Sequence, residues 1–207
     1  MELDHALIAV ADLAAAAREI EACYGLVSIE GGRHPGWGTA NRIVPLGDTY
    51  LELVALVDEA EAAESDFGRW VGAAGAGAGA LRPLGWAVRT RRLDDVAGRL
   101  GLVAVDGSRA APGGGVLRWR TAGIERAAAE PSLPFLIEWG AGTPFPGRPP
   151  GQPPNPLGIA RLEIDGDAEH LAEWLGGHAP PVVVRPAAPA LTRIVLSGPA
   201  GEVMLGG

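Results

Sequence analysis

The chain has 207 residues, of which 47% are hydrophobic, and its formal net charge at pH 7 is −8. This length predicts one compact domain or two small ones, with enough apolar residues for a core. The negative charge argues against a nucleic-acid partner or an anionic-membrane surface, because both need a basic patch. The single cysteine, Cys23, excludes an internal disulfide and a zinc site built from several cysteines of one chain.

The chain also has no pattern typical of a membrane or secreted protein. No apolar stretch approaches the roughly 18 residues that a membrane-spanning helix needs. The acidic start, Met1 to Asp4, leads directly into a strand pattern, whereas a secretory signal begins with basic residues. We therefore predict a cytoplasmic protein with no membrane partner.

Three stretches of the chain share one pattern, an apolar strand followed by an amphipathic helix that ends at a glycine. The strands cover 3–10, 84–88 and 157–164, and the helices cover 13–24, 93–100 and 168–175. Asp12, Thr90 and Asp167 are predicted N-caps, and Gly25, Gly101 and Gly176 are predicted helix ends. Short strands follow each helix, at 26–30, 41–46 and 49–57, at 103–105, 116–120 and 134–139, and at 182–185, 192–196 and 203–205. The pattern predicts β-α-β-β-β three times.

Two segments divide these modules. Residues 72–83 are dominated by Gly and Ala and predict a linker, just after a short helix over 66–71. Residues 143–156 are rich in Pro and Gly and predict an extended connector. The expected modules are therefore 1–71, 84–142 and a shorter third module over 157–207, joined in one compact unit.

The residues of the first two modules resemble a known family. Leu3-Asp4-His5 before an apolar strand resembles the opening of vicinal-oxygen-chelate modules. Two further regions look more specifically like glyoxalase-like domain proteins. The first is the run from Gly31 to Asn41 together with Tyr50-Leu51-Glu52-Leu53, and the second is 134–140. The resemblance implies an α+β fold in which repeated β-α-β-β-β modules form curved mixed sheets around an open cavity.

The resemblance also implies where a divalent metal ion is held, on the first and last strands of each module. His5, Glu52 and Glu138 occupy three of these places, and Trp86, which cannot ligate a metal, occupies the fourth. One imidazole and two carboxylates suit Zn, Mn, Ni or Fe and leave positions open for substrate oxygens. A metal-free use is also open, in which a buried Glu abstracts a proton next to a carbonyl.

Each of these residues has a structural alternative. His5 shares its strand face with Leu3 and Leu7 by period two, and a histidine in such a strand is often a satisfied core residue. Glu52 is equally isolated in its strand, and a buried carboxylate needs a partner or a metal. Glu138 has Arg118 or Arg120 as alternative partners in a structural ion pair.

The glycine-rich loop is a candidate substrate-binding segment at the mouth of the cavity. Its glycines allow the backbone to approach a ligand, and its polar tip includes an arginine suited to a carboxylate or phosphate. The alternative is a plain surface hairpin. The candidate substrate-binding residues are Arg33, His34, Trp37, Thr39, Asn41 and Trp86. No Gly-x-Ser-x-Gly elbow is present, which argues against a serine nucleophile.

Two functions are consistent with this sequence. One is a glyoxalase-like enzyme that acts on a small oxygenated metabolite by lyase, isomerase or dioxygenase chemistry, with Glu52 and Glu138 as catalytic residues. The other is a non-catalytic protein that binds or sequesters a small molecule. The His5 and Glu52 pair favours the enzyme, and Trp86 favours the binder. Pairing of module edges also allows a homodimer.

Overall fold

The structure, a computed structural model, describes residues 1–74, 81–110, 114–199 and 201–206. The first module contains β1 (Glu2–Ala9), α1 (Leu13–Tyr24), β2 (Ile29–His34), β3 (Thr39–Pro45) and β4 (Tyr50–Leu56). Two short helices follow, α2 (Glu59–Ala63) and α3 (Asp66–Ala74).

The second and third modules repeat the strand-helix-strands order. The second contains β5 (Arg82–Arg89), α4 (Leu93–Leu100), β6 (Ala104–Ala110), β7 (Val116–Ala122), an additional helix α5 (Ile124–Ala129) and β8 (Phe135–Trp139). The third contains β9 (Gly158–Asp165), α6 (Ala168–Trp174), β10 (Val182–Arg185), β11 (Ala190–Gly198) and β12 (Gly201–Leu205). The α+β fold of repeated modules is therefore confirmed, whereas α5 was not predicted.

The first two modules share one eight-stranded sheet, in the order β2-β3-β4-β1-β5-β8-β7-β6. The modules join where β1 pairs antiparallel with β5. The two ends of the sheet approach each other, because the Arg109 side chain on β6 donates to the Gly31 carbonyl on β2. The sheet is therefore curved into a nearly closed barrel. The third module forms a separate four-stranded sheet, in the order β10-β9-β11-β12.

The capping residues behave mostly as their side chains predict. Asp12 accepts from the Ala15 backbone N–H at the start of α1, and Asp167 caps α6 in the same way. Gly25 ends α1 in the left-handed region, which favours glycine. Thr90 is not the N-cap of α4, because Arg92 holds that place, and the Thr90 hydroxyl accepts from the Arg92 backbone N–H instead.

Two apolar clusters lie on opposite faces of the barrel sheet. One packs the helices and the four-stranded sheet against the barrel and includes Leu3, Ala6 and Ile8. The other lies on the inner face and includes Leu7. The prediction that Leu3 shares the face of His5 is wrong, because the register of β1 against β5 shifts between these two residues. Such a β-bulge at Asp4 breaks the period of two.

The two connecting segments differ in how much of them is described. The predicted linker 72–83 overlaps the end of α3 and the start of β5, and its residues 75–80 lie outside the described residues. The Pro/Gly connector packs across the barrel. Its Asn155 side chain donates to the Pro45 carbonyl at 3.0 Å and accepts from the Val27 backbone N–H at 2.7 Å. In the part of the chain that is described, no helix is long and apolar enough to cross a membrane.

Candidate functional site

The candidate site is a narrow cavity inside the barrel. One wall is polar and carries His5 from β1, His34 from β2, Asn41 from β3 and Glu52 from β4. The facing wall comes from the second module and from the segment after β4, and is largely aromatic; it includes Phe67, Trp119, Phe135 and Trp139. The space open to water inside is about 30 Å³, enough for one or two water molecules. The site is therefore buried and strongly desolvated.

Asp4 orients His5. The His5 Nδ1 atom lies 2.7 Å from Asp4 Oδ1, and Trp139 Nε1 donates to the other carboxylate oxygen at 3.0 Å. The Tyr50 ring stacks on the imidazole with centroids 4.5 Å apart. Because Asp4 accepts the Nδ1 proton, the Nε2 atom is left to face the cavity. It is buried and has no hydrogen-bond partner among the described residues.

Glu52 lies between the two histidines. Its Oε2 atom is 3.4 Å from His5 Nε2, and its Oε1 atom accepts from Asn41 Nδ2 at 2.8 Å. The same amide group lies 3.1 Å from His34 Nε2, and His34 Nδ1 lies 2.9 Å from the Thr39 hydroxyl. This network assigns His34 as a neutral ring that donates through Nδ1 and accepts through Nε2.

The surroundings of His34 and Tyr50 favour their uncharged forms. Burial lowers the pKa of His34 to about 4, and the charges of Arg109 and His5 add to this, while Glu52 opposes it. Burial also raises the pKa of Tyr50 well above its usual value, and the charges of Asp4 and Glu52 act in the same direction. The polar wall therefore combines a neutral imidazole and a neutral phenol with two carboxyl groups.

Six of the nine residues proposed from the sequence lie together. His5 and Glu52 face each other, His34, Trp37 and Asn41 line the same cavity, and Thr39 holds the His34 ring. Arg33 does not join them. It lies on the opposite face of β2, where its half-exposed side chain forms ion pairs with Asp58 and Glu61. Its proposed role in the cavity is therefore not supported by its placement.

Glu138 and Trp86 also point away from the cavity. On β8, Phe135, Ile137 and Trp139 line the cavity, so the alternation of side chains turns Glu138 outward. Its carboxylate lies 3.5 Å from Arg120 Nη1 and accepts from the first backbone N–H of α4 at 3.5 Å. The expected convergence of Glu138 with His5 and Glu52 is therefore wrong, and the Arg120 alternative is observed.

Trp86 is fully buried in the cluster on the outer face of the barrel, where its Nε1 donates to the Ser132 carbonyl at 3.2 Å. The prediction that Trp86 lines the substrate cavity is therefore wrong. The neighbouring residue on the strand, Ala87, belongs to the inner cluster.

The donor set for a metal ion is consequently smaller than the sequence suggested. Without Glu138, the predicted ligands reduce to His5 and Glu52. The Nε2 atom of His34 is near them, but Asn41 Nδ2 donates to it. Within the described ranges, no group of three or more His, Cys, Asp or Glu side chains is arranged to hold a metal ion. The residues present do not fit the three-ligand site.

Several residues of the site were not found from the sequence, and four of them, Asp4, Arg109, Trp119 and Thr121, bear on its chemistry. Asp4 belongs to the Leu3-Asp4-His5 motif that carries the resemblance, but only the β-bulge brings it to the face of His5. Arg109, Trp119 and Thr121 come from β6 and β7, and all three line the cavity. The signal for Trp119 was its place in the predicted strand 116–120, and Thr121 lies one residue beyond that strand at a spacing of two from Trp119. The strand that carries Arg109 was predicted too short to include it.

Comparison with known proteins places this fold in a family. A model of the glyoxalase-like domain matches residues 3–178. The chain belongs to the glyoxalase-like domain family. A hypothetical protein from Staphylococcus aureus has a similar structure, with a TM-score of 0.67 over 98% of each chain and 11% sequence identity. That likeness extends over the third module, and it concerns the fold alone.

Two epimerases are more distant structural relatives of this glyoxalase-like domain protein. A Streptomyces coelicolor methylmalonyl-CoA epimerase in complex with 2-nitronate-propionyl-CoA is 20% identical, with a TM-score of 0.47 over 68% of this chain and 95% of that chain. The Mycobacterium tuberculosis methylmalonyl-CoA epimerase is 21% identical, with a TM-score of 0.44 over 66% of this chain and 85% of that chain. The curated proteins contain no match.

Proposed function

We propose that this glyoxalase-like protein is an enzyme that moves a proton on a small oxygenated substrate, with Glu52 as the catalytic base. One observation carries the proposal, the placement of the Glu52 carboxylate. It is buried, Asn41 holds one of its oxygens, and the other faces a His5 nitrogen that has no hydrogen-bond partner among the described residues. A desolvated and oriented carboxylate is suited to general base catalysis.

The chemistry needs no co-reactant. The substrate C–H bond next to a carbonyl breaks, the proton goes to Glu52, and the electron pair moves into the carbonyl to form an enolate. Return of a proton to the same carbon regenerates the carbonyl, and it leaves an epimer when the proton arrives on the opposite face. Where that carbon carries a hydroxyl group, the enolate is an enediolate, and protonation of the former carbonyl carbon with loss of the hydroxyl proton leaves an isomer. His5 is placed to assist, because Asp4 orients the ring and stabilises positive charge on it while Nε2 carries a proton.

The metal-dependent lyase and dioxygenase alternatives need a further protein ligand. His5 and Glu52 supply two donors, and the third expected ligand, Glu138, is on the other face of β8. Two donors hold a borderline divalent ion poorly. The proposed proton transfer therefore uses the carboxylate and the imidazole alone, and Zn, Mn, Ni and Fe form a separate arm of its test.

A second function, binding without turnover, is favoured by the aromatic walls of the cavity. Five aromatic side chains surround the polar group, and they are Trp37, Phe67, Trp119, Phe135 and Trp139. Such walls bind planar or apolar ligands whether or not a reaction follows. The two functions are separated by whether a bound compound exchanges protons with the solvent.

The experiment uses NMR to measure the rate at which deuterium from D₂O is incorporated into small carbonyl compounds. We expect the wild type to exchange the hydrogen next to the carbonyl, and Glu52→Gln to lower the rate by about 10²–10⁴-fold while the melting temperature stays near that of the wild type. Addition of EDTA should not change the rate. Binding without exchange would support the sequestering function. Restoration of the rate by one of the four metals after EDTA treatment would support the metal-dependent one.

A further inference from the structure

Arg109 is a buried cation for which the described residues supply no acidic partner. The side chain is 6% exposed, and it donates to one protein acceptor, the Gly31 carbonyl. No carboxylate of the described residues lies within salt-bridge distance of it. Burial lowers the pKa of Arg109 from its usual value, while Glu52 and Tyr50 oppose that change.

Leaving a buried guanidinium without an anion is costly, and natural proteins pair such groups. The Gly31 contact satisfies one N–H of a group that has five. The remaining donors lie where two cavities meet, because Arg109 lines both the inner cavity with Glu52 and a larger outer cavity. The charge therefore faces ligand space and not the core.

The outer cavity is large enough for a small molecule. It has a volume of about 430 Å³, and the proline-rich connector covers it with Phe145 and Pro149. Ile43, Arg109 and Pro146 line both cavities and so mark the passage between them. A ligand that reaches Glu52 through the outer cavity must pass beside the guanidinium.

A second unpartnered group points to the same kind of ligand. The Thr121 hydroxyl on β7 lines the inner cavity, is buried, and lacks a hydrogen-bond partner among the described residues. A hydroxyl in this position needs a polar atom supplied by water or by a ligand. Arg109 and Thr121 together present donors to one space, which suits a group with two acceptor oxygens.

We infer that the substrate is a small carboxylate whose carboxylate group binds Arg109 while its reacting carbon lies at Glu52. This inference rests on the proposed function and names its substrate class. A carboxylate matches the planar guanidinium fork with two parallel hydrogen bonds. A phosphate shares the negative charge and also matches the fork, so inorganic phosphate serves as a separate probe.

The test compares pyruvate with methyl pyruvate, two probes that differ in whether the carboxyl group is charged. We expect isothermal titration calorimetry on the full chain to show pyruvate binding at least about tenfold more tightly, as a charge-assisted pair contributes. Arg109→Met should remove this preference and leave the affinity for methyl pyruvate unchanged. Arg126→Gln, at an exposed arginine on α5, removes the same charge from the surface and should keep the preference.

The stability of the variant separates a ligand role from a structural one. Arg109→Met loses the hydrogen bond to the Gly31 carbonyl but also removes an unpaired buried charge, so the melting temperature should stay near that of the wild type. If that variant does not fold, Arg109→Lys keeps the charge without the fork, and it should bind pyruvate about tenfold more weakly than the wild type. Equal affinity of the wild type for both probes, or tighter binding of inorganic phosphate than of pyruvate, would overturn the inference.

The failure of this inference and that of the proposed function give different results. If the wild type prefers pyruvate through Arg109 but Glu52→Gln does not change proton exchange, the substrate class stands and the proposed base is wrong. If exchange depends on Glu52 but no carboxylate preference exists, the proposed base stands and the substrate class is wrong.

Discussion

The buried neutral state of His34 makes the stability of the fold depend on pH. The folded protein lowers the pKa of this ring from 6.5 to about 4. Between these values the unfolded chain binds a proton on His34 that the folded chain does not. The free energy of unfolding should therefore fall as the pH falls from 6.5 towards 4. At about 1.4 kcal/mol for each tenfold change in proton affinity, the loss from this one residue is about 3 kcal/mol.

The assay is urea unfolding of the wild type, His34→Gln and His170→Gln at several pH values from 7.5 to about 4. Other groups titrate in the same window, so the readout is the difference between the variants. We expect the wild type and His170→Gln, which changes an exposed histidine, to lose about 3 kcal/mol more stability than His34→Gln. Parallel pH dependences in all three proteins would refute the assignment of His34 as a neutral ring.

Three further substitutions test how the site is held. Gly38 has φ +65° and a Cβ there would overlap Asp58 and Ala62, so Gly38→Ala should lower the free energy of unfolding by about 2–4 kcal/mol. Gly36→Ala, which has φ +77° and open space around it, should cost only about 1 kcal/mol in the same urea experiment. Asp4→Asn leaves one acceptor oxygen for the two donors His5 Nδ1 and Trp139 Nε1 and removes the negative charge beside the imidazole, so it should lower both stability, by about 2 kcal/mol, and the exchange rate; an unchanged exchange rate would remove Asp4 from the mechanism.

The sequence predicted the modules well because each carries its own local signals. Asp12, Gly25, Asp167 and Gly176 mark helix ends through their own side chains or backbone freedom, and those signals do not depend on the rest of the fold. The pairing of His5 with Glu52 required more than local signals. It followed from the family resemblance, which places the first and last strands of a module beside each other, and β1 does pair with β4.

The errors come from choosing a strand face. Alternation shows that Glu138 and Trp139 point in opposite directions, but it does not say which face is inside the barrel. The same ambiguity affects Arg33 and His34 on β2. At Asp4 the alternation itself fails, because a bulge that depends on pairing with β5 brings two consecutive polar residues to one face.

Arg109 was missed for a different reason. The strand that carries it reads Ala-Val-Asp-Gly-Ser-Arg-Ala, which has few β-branched or aromatic residues, so propensity alone ended the predicted strand at 105. Its pairing with β7 extends the strand to Ala110. The residue that defines the proposed substrate class therefore became visible only through a tertiary contact.

Deuterium exchange measured side by side for the wild type, Glu52→Gln and Glu138→Gln tests the central claim most directly. Both substitutions replace a carboxylate by an amide of the same shape, but only Glu52 lies in the cavity with His5, while Glu138 lies beside Arg120. The account predicts that Glu52→Gln loses about 10²–10⁴-fold in exchange rate and that Glu138→Gln keeps the wild-type rate. An equal loss in both variants, or a loss in Glu138→Gln alone, would contradict it.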